Sequence, residues 1–395
     1  MPRALAIQRF WLLTALLLGA CASEPQTAGL DAAVDADSVG GTSLEVQDST
    51  SDIADSSAMP PQLPAVDREA LLLLLAWADL PSDHTAAVWP GLKVLQVPTA
   101  LVVFDDAGVA RRAWLLHWPA PPPGAQALQD PAFSQAIWRY DAAAADAYDE
   151  TTALADWDIA GTSALLVPVS AAWLKGGPRP GGPWSQLVGA AAMSRWRQVE
   201  GQWPAVAPCG QPFYPRDELA IALLFLECAV LSEALDSAAP DQMAQRLAEW
   251  QAIRSLYTGA SAALMARVRH YDAVFAPDWY AGRRLALMAG QRSPAQVEAE
   301  YRAALARPMQ VAPGDFDAVV SSFGAPGAAA LELARRLGWP AVDAYAKGGS
   351  VATELESWVG PPAPGLVDQA IARHPWRSMR ARAQKIMAIP VGFLP

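Results

Sequence analysis

One Pro/Gly cluster, Lys175–Pro183 (KGGPRPGGP), divides the chain into two kinds of hydrophobic pattern. Proline fixes φ and removes a backbone donor while glycine loosens the chain, so no regular element passes through such a segment. Before it, Asp67–Leu80 reads as a short apolar helix. Pro98–Phe104 and Val109–His117 are β-rich runs around Asp105-Asp106-Ala107-Gly108, a hairpin signal, and Ser163–Val169 is a continuous apolar run that suits a buried strand. After the cluster, helical spacing recurs over Trp184–Val199, Arg216–Asp236, Asp241–Tyr257, Ala262–Tyr271, Trp279–Ala289, Pro294–Ala306, Gly327–Leu337 and Gly365–Ala383. This order predicts a helix-dominated α+β fold, a small N-terminal β-hairpin or sheet region followed by a helical region, with no internal repeat.

Composition narrows the function classes. With 52% hydrophobic and 17% charged residues the chain is not compositionally disordered. Its net charge of −11 supplies no cationic footprint for phosphates, so no nucleic-acid partner is expected. The charge is segregated: +2 on residues 1–20, eight carboxylates and no Lys or Arg over Cys21–Val66, and −5 on the rest. The sequence has four Lys against 25 Arg and no Asn, the signature of GC-rich codons, so arginine clusters alone carry little functional weight. Fifteen of the sixteen tryptophans fall after residue 65, scattered and often beside proline, which fits packing better than a dedicated aromatic binding surface.

Arg3 and Arg9 precede a nine-residue apolar stretch, Phe10–Leu18, half the length needed to span a bilayer and typical of a signal-peptide core. It ends in Leu18-Gly19-Ala20-Cys21, which resembles the lipobox of bacterial lipoproteins. The resemblance implies cleavage before Cys21 and acylation of its thiol and new amino group, enough chains for stable membrane anchoring. Ala22, rather than Asp, after the cysteine favours the outer membrane. The next 44 residues, Ala22–Ala65, lack periodicity and would form an acidic tether spanning about 35–40 Å as a coil. The expected organisation is therefore a signal peptide over 1–20, a lipidated tether over 21–65 and a globular part over 66–395, itself β-containing over 66–182 and helical over 183–395.

Two further cysteines, Cys209 and Cys228, can form a disulfide in an oxidising compartment, although Cys228 lies in an apolar helical run that also suits a free buried thiol. The familiar catalytic signatures are missing: no G-x-S-x-G, P-loop, G-x-G-x-x-G or Cys-x-x-Cys occurs. The four histidines, His84, His117, His270 and His374, lie outside metal-ligand spacing, and His270-Tyr271-Asp272 reads as structural more readily than as acid–base machinery.

The succession Trp89-Pro90-Gly91, Val97-Pro98-Thr99, His117-Trp118-Pro119, Gln198, Gln202-Trp203-Pro204, Leu226-Glu227, Leu231–Leu235 and Phe323–Pro340 resembles a family of bacterial secreted or lipid-anchored proteins with a zinc-metallopeptidase fold of the gluzincin-like type. The resemblance spans roughly Trp89–Gly360. It implies a His-Glu-x-x-His-x-x-Gln helix just before the Trp-Pro segment, where this chain has Ala191-Ala192-Met193-Ser194-Arg195-Trp196-Arg197-Gln198. On that alignment Ala191 and Arg195 stand where two imidazoles would bind zinc, and Ala192 stands where the glutamate base would be. A methyl group has no electron pair for a metal, and a guanidinium stays protonated. The resemblance further implies a later glutamate ligand, for which Glu227 and Asp278 are the candidates.

Glu227 draws notice on physical grounds as well. Its helical neighbours Leu223, Leu224, Val230 and Leu231 are apolar, so its carboxylate is expected to be buried and to need a partner. Arg195 in the former metal position is the expected partner, of Glu227 or else of Asp278; alternatives are another arginine such as Arg254, or solvent at a helix edge. The expectation is thus a cell-envelope lipoprotein with a catalytically inactive metallopeptidase-like domain, needing no metal or cofactor. It would meet the membrane through Cys21 and an envelope protein or peptide through a binding or scaffolding surface. The competing expectation is an active envelope hydrolase or peptidase whose site lies elsewhere.

Overall fold

The computed structural model describes residues 63–92, 97–104, 110–140, 156–159, 161–170, 188–190, 192–193, 195–197, 217–260, 268, 271–315, 319, 322–339 and 351–388. Cys21, the signal, the tether up to Gln62, Lys175–Pro183, Ala191, Cys209 and His270 lie outside them; Ala65, expected as the last tether residue, instead opens the first helix. The fold is α+β with helix in the majority.

Two helices, α1 (Ala65–Ala78) and α2 (Ser82–Val88), precede six strands: β1 (Thr99–Phe104), β2 (Ala110–Leu116), β3 (Gln126–Ala127), β4 (Ile137–Tyr140), β5 (Asp156–Ile159) and β6 (Thr162–Ser170). They form one mixed sheet in the order β3-β4-β2-β1-β6-β5. β1 and β2 pair antiparallel, as the hairpin signal predicts, from Thr99 opposite Leu116 to Phe104 opposite Ala110, with an irregularity after Val103. β1 and β6 pair in parallel, Thr99 beside Leu165 and Phe104 beside Ser170. β1 is buried along its whole length, which is why it reads as a continuous apolar run rather than an alternating one. Alternate residues nevertheless serve different faces. Leu101, Val103, Trp114, Leu116, Leu165 and Val167 join the main core shared with the helices, whereas Ala100, Val102, Leu115 and Leu166 pack on the opposite face with Trp118.

A buried polar knot ties α1 to the sheet. Asp67, in the first turn of α1, accepts from Arg112 Nη2 at 2.8 Å and from Trp114 Nε1 at 2.7 Å, both on β2. Helical spacing places Asp67 on the same stripe as Ala70, Leu71 and Leu74, all buried, so its carboxylate enters the core and requires these donors.

The helical part is arranged around α3 (Glu218–Asp236). Asp217 caps its start by accepting from the Leu219 and Ala220 amides. Residues Ala220–Cys228, Val230, Leu231, Ala234 and Leu235 are all buried, so apolar side chains clothe this helix on every side, the mark of a central core helix. Among the described residues no helix is long and apolar enough to cross a membrane. Around α3 pack α4 (Pro240–Ala260), α6 (Pro294–Gln310), α7 (Gly324–Arg336) and α10 (Trp376–Met387). α5 (Ala276–Met288) packs on α7 and continues directly from a π-helical turn over Tyr271–Phe275. α8 (Val351–Val359) and α9 (Leu366–Arg373) cover α4.

One predicted helix is corrected. Gly365–Ala383 is not continuous: α9 ends at Arg373 and α10 starts at Trp376, with His374 extended at φ −110°, ψ 153°. Pro375 displaces the residue before it from helical geometry and has no donor to continue the ladder. α2, β3, β4, β5 and α8 carry too few residues, or too mixed a pattern, to stand out from periodicity alone.

The 188–197 segment crosses α1 and α5 at closest approach through Gly189. A Cβ placed there would lie 2.7 Å from Gly282 Cα and 2.7 Å from the Trp77 ring. Backbone and a packed indole cannot both yield, so Gly189→Ala is expected to destabilise the protein by about 1–3 kcal/mol, the usual cost of overpacking. Urea unfolding of the two proteins measures it; an unchanged midpoint would show that the crossing is looser than described.

Candidate functional site

The segment that the resemblance aligns with a zinc-binding helix is buried and helical where described. Ala192 is 4% exposed and Arg195 8%. Arg195 Nη1 donates to Ser163 Oγ on β6 at 3.1 Å. Trp196 Nε1 donates to the Gly91 carbonyl at 2.7 Å, pinning the segment to the loop after α2. Arg197 Nη2 lies 3.3 Å from Asp278 Oδ2 in the first turn of α5.

The expected pairing of Arg195 with Glu227 or Asp278 is therefore corrected. Asp278 is held by Arg197, two residues further on, and Glu227 by Arg254 on α4. Arg195 is turned instead to β6, where it meets Ser163, while Glu227 lies on the stripe of α3 that faces Trp250 and Arg254 on α4. Arg254 was the alternative that the sequence left open. It lies on the stripe Trp250, Ile253, Arg254, Tyr257, whose other members are fully buried.

Glu227 is only 1% exposed. Its Oε2 accepts from Arg254 Nε at 2.9 Å and from Trp250 Nε1 at 3.1 Å, and the Arg254 guanidinium lies 5.0 Å from the Trp250 ring centre. Arg254 also lies 3.9 Å from Asp272 Oδ1, on the π-helical turn before α5. One guanidinium thus hydrogen-bonds one buried carboxylate and faces a second at a distance too long for a hydrogen bond. Space around Asp272 is tight as well: a Cβ on Gly327 of α7 would fall 2.3 Å from Asp272 Oδ1. Burial pushes the Glu227 carboxyl up to about 7, against the pull of Arg254 and the Trp250 donor. Burial likewise raises Asp278 to about 7, partly opposed by Arg197. Burial also raises the Cys228 thiol; this cysteine is free and enclosed in α3.

These residues do not fit a catalytic zinc site. Such a site needs three ligands with available electron pairs and an open position for water. Here the described aligned positions carry a methyl group and a guanidinium, and both candidate carboxylates already bind guanidinium groups. Among the described residues no three His, Cys, Asp or Glu side chains converge as a metal-binding group. What the arrangement does is fix elements to one another. Arg197–Asp278 joins the 188–197 segment to α5, and Glu227–Arg254–Asp272 joins α3, α4 and the π-helical turn.

Three further features lie outside the expectations drawn from the sequence. Glu249 on α4 is buried, takes Arg246 Nη1 at 2.7 Å and is also bound by Arg373 at the end of α9. The Asp67 knot was legible in principle, because Asp67 shares a helical stripe with leucines. A small pocket at the far ends of α5 and α7 depends on tertiary packing and left no local signal. No known protein family, curated protein or solved structure matches the chain.

Two outcomes follow for the ion pair. Arg254→Met strands the Glu227 charge and should cost about 3–5 kcal/mol, whereas adding Glu227→Leu should recover much of that loss. Because the folded-state value of Glu227 is raised, the native protein binds an extra proton between the ordinary carboxylate range and about 7. The stability that Glu227 contributes is therefore present at low pH and lost as pH rises through about 7. Urea unfolding at about pH 5 and about pH 7.5, either side of that value, should show wild type losing ground to Glu227→Gln on the alkaline side. Parallel pH profiles would contradict the assignment.

Proposed function

We propose that this protein is a cell-envelope lipoprotein, anchored through Cys21 and favouring the outer membrane, whose folded part is a peptidase-like domain that binds or scaffolds rather than cleaves. The observation that carries the non-catalytic half of this reading is the conversion of the two candidate metal-binding carboxylates into ion pairs, Glu227 with Arg254 and Asp278 with Arg197. Each carboxylate keeps one oxygen without a hydrogen-bond partner, but that oxygen is enclosed in the core beside a guanidinium, whereas a catalytic metal or a substrate needs an accessible electron pair. The envelope half rests on the sequence of residues 1–22, where a short apolar core between basic residues ends directly on a cysteine. The acidic tether supports it, since like charges would keep the folded part away from an anionic membrane surface. The partner class that fits is an envelope protein or peptide.

Expression in a bacterial host with fractionation tests the anchor. The natural sequence should sediment with membranes and label with a radioactive fatty acid, and Cys21→Ser should do neither. Incubation of the purified protein with unfolded casein and added zinc tests the rest. The expected result is no cleavage above a heat-inactivated control; zinc-dependent proteolysis would overturn the non-catalytic reading in favour of a hydrolase with its site elsewhere.

A further inference from the structure

At the far ends of α5 and α7, where the first turns of α6 lean against them, lies a pocket of about 240 Å³. Its wall holds three arginines, Arg284, Arg335 and Arg336, two glutamates, Glu298 and Glu332, and an apolar side formed by Leu287, Pro294 and Val297.

The charges do not cancel. Glu332, itself nearly buried, accepts from Arg335 Nη2 at 2.7 Å and from Arg336 Nε at 3.2 Å. Glu298 is engaged by Arg302 at 2.5 Å and approached by Arg336 Nη2 at 3.5 Å. Two acids and two of the three lining arginines are thereby accounted for. The Arg284 side chain lines the pocket and makes no hydrogen bond or ion pair among the described residues. Its Nε is enclosed by protein, so the Nη groups are the donors that a molecule in the pocket can reach. A half-buried guanidinium with no acid against it is an incomplete arrangement, because charged donors ordinarily find an acceptor or water. Nearby, the Tyr301 hydroxyl is also buried without a hydrogen-bond partner.

We infer that this pocket is a binding site for a small organic carboxylate, with the anion on Arg284 and a short apolar group against Leu287, Pro294 and Val297. Guanidinium and carboxylate match in shape and charge, and a pair shielded by protein is stronger than one in water. The volume lies below the usual range for drug-sized ligands, so a branched short-chain acid, or the chain-terminal residue of a peptide with a small apolar side chain, is the scale that fits. The inference stands apart from the envelope reading, since it uses neither the anchor nor the Glu227 cluster.

Isothermal titration of the full folded protein with isovalerate, N-acetyl-valine and N-acetyl-valinamide tests it, with inorganic phosphate as a fourth probe. Saturable binding of at least one of the two acids is expected, with the amide and phosphate weaker by about tenfold or more, the scale of one charge-assisted contact. Binding of isovalerate alone identifies a free acid as ligand, and binding of N-acetyl-valine identifies a chain end. Arg284→Gln should weaken the bound acid by a similar factor and Arg284→Lys by less. Because Arg284 has no partner to lose, both variants should unfold at nearly the wild-type temperature, and the acid should raise the melting temperature of wild type most, of Arg284→Lys less and of Arg284→Gln least. Equal binding of acid and amide, equal binding of phosphate, undiminished binding by Arg284→Gln, or no saturable binding of either acid would overturn the inference.

Discussion

The helical part of the protein depends on one ion pair in the wrong solvent. α3 is apolar on all sides, yet places a carboxylate, Glu227, at its middle. Without compensation such a charge would cost several kcal/mol, or would have to take up a proton. Arg254 and Trp250 on α4 supply the compensation, and through Arg254 the pair extends to Asp272 beside α5. The direction in which α4 and the π-helical turn approach α3 is thus set by polar geometry as well as by apolar area. Hydrophobic burial drives the helices together, whereas a single guanidinium between two carboxylates admits few relative orientations.

The same solution recurs at a smaller scale. Asp67 binds α1 to β2, Arg197–Asp278 binds the 188–197 segment to α5, and Glu249 gathers Arg246 with Arg373. In each, an acid on a buried stripe is met by an arginine or a tryptophan from another element. A chain with four lysines and 25 arginines is suited to this, because guanidinium is planar, multiply donating and less strongly hydrated than ammonium. Arginine abundance matches GC-rich codon usage, yet these particular arginines hold the core together.

Much of this was legible before any coordinates. The sheet-then-helices order, the β1–β2 hairpin, the buried β6 strand and the burial of Glu227 all follow from periodicity and from apolar neighbours at helical spacing. The break at His374-Pro375 was also visible in principle, since proline states where a helix stops. What failed was the partner of Glu227. Periodicity gives the buried face of a helix but not which element packs on that face, and here Glu227 meets α4 through Arg254 while Arg195 meets β6 through Ser163. The Arg284 pocket was invisible for a different reason. It is made by the ends of three successive helices whose convergence only the tertiary packing sets, and an unpaired guanidinium is recognisable only once its possible acceptors have positions.

Arginines hold both candidate metal-binding carboxylates, Glu227 and Asp278, so the folded core is expected to stand without a bound ion. The most direct measurement is the thermal unfolding midpoint of the purified protein in buffer, after exhaustive treatment with a strong chelator, and after addition of zinc in excess. The account predicts the same midpoint in all three. A midpoint that falls with chelator and is restored by zinc would show that a metal supports the native state, and would contradict it.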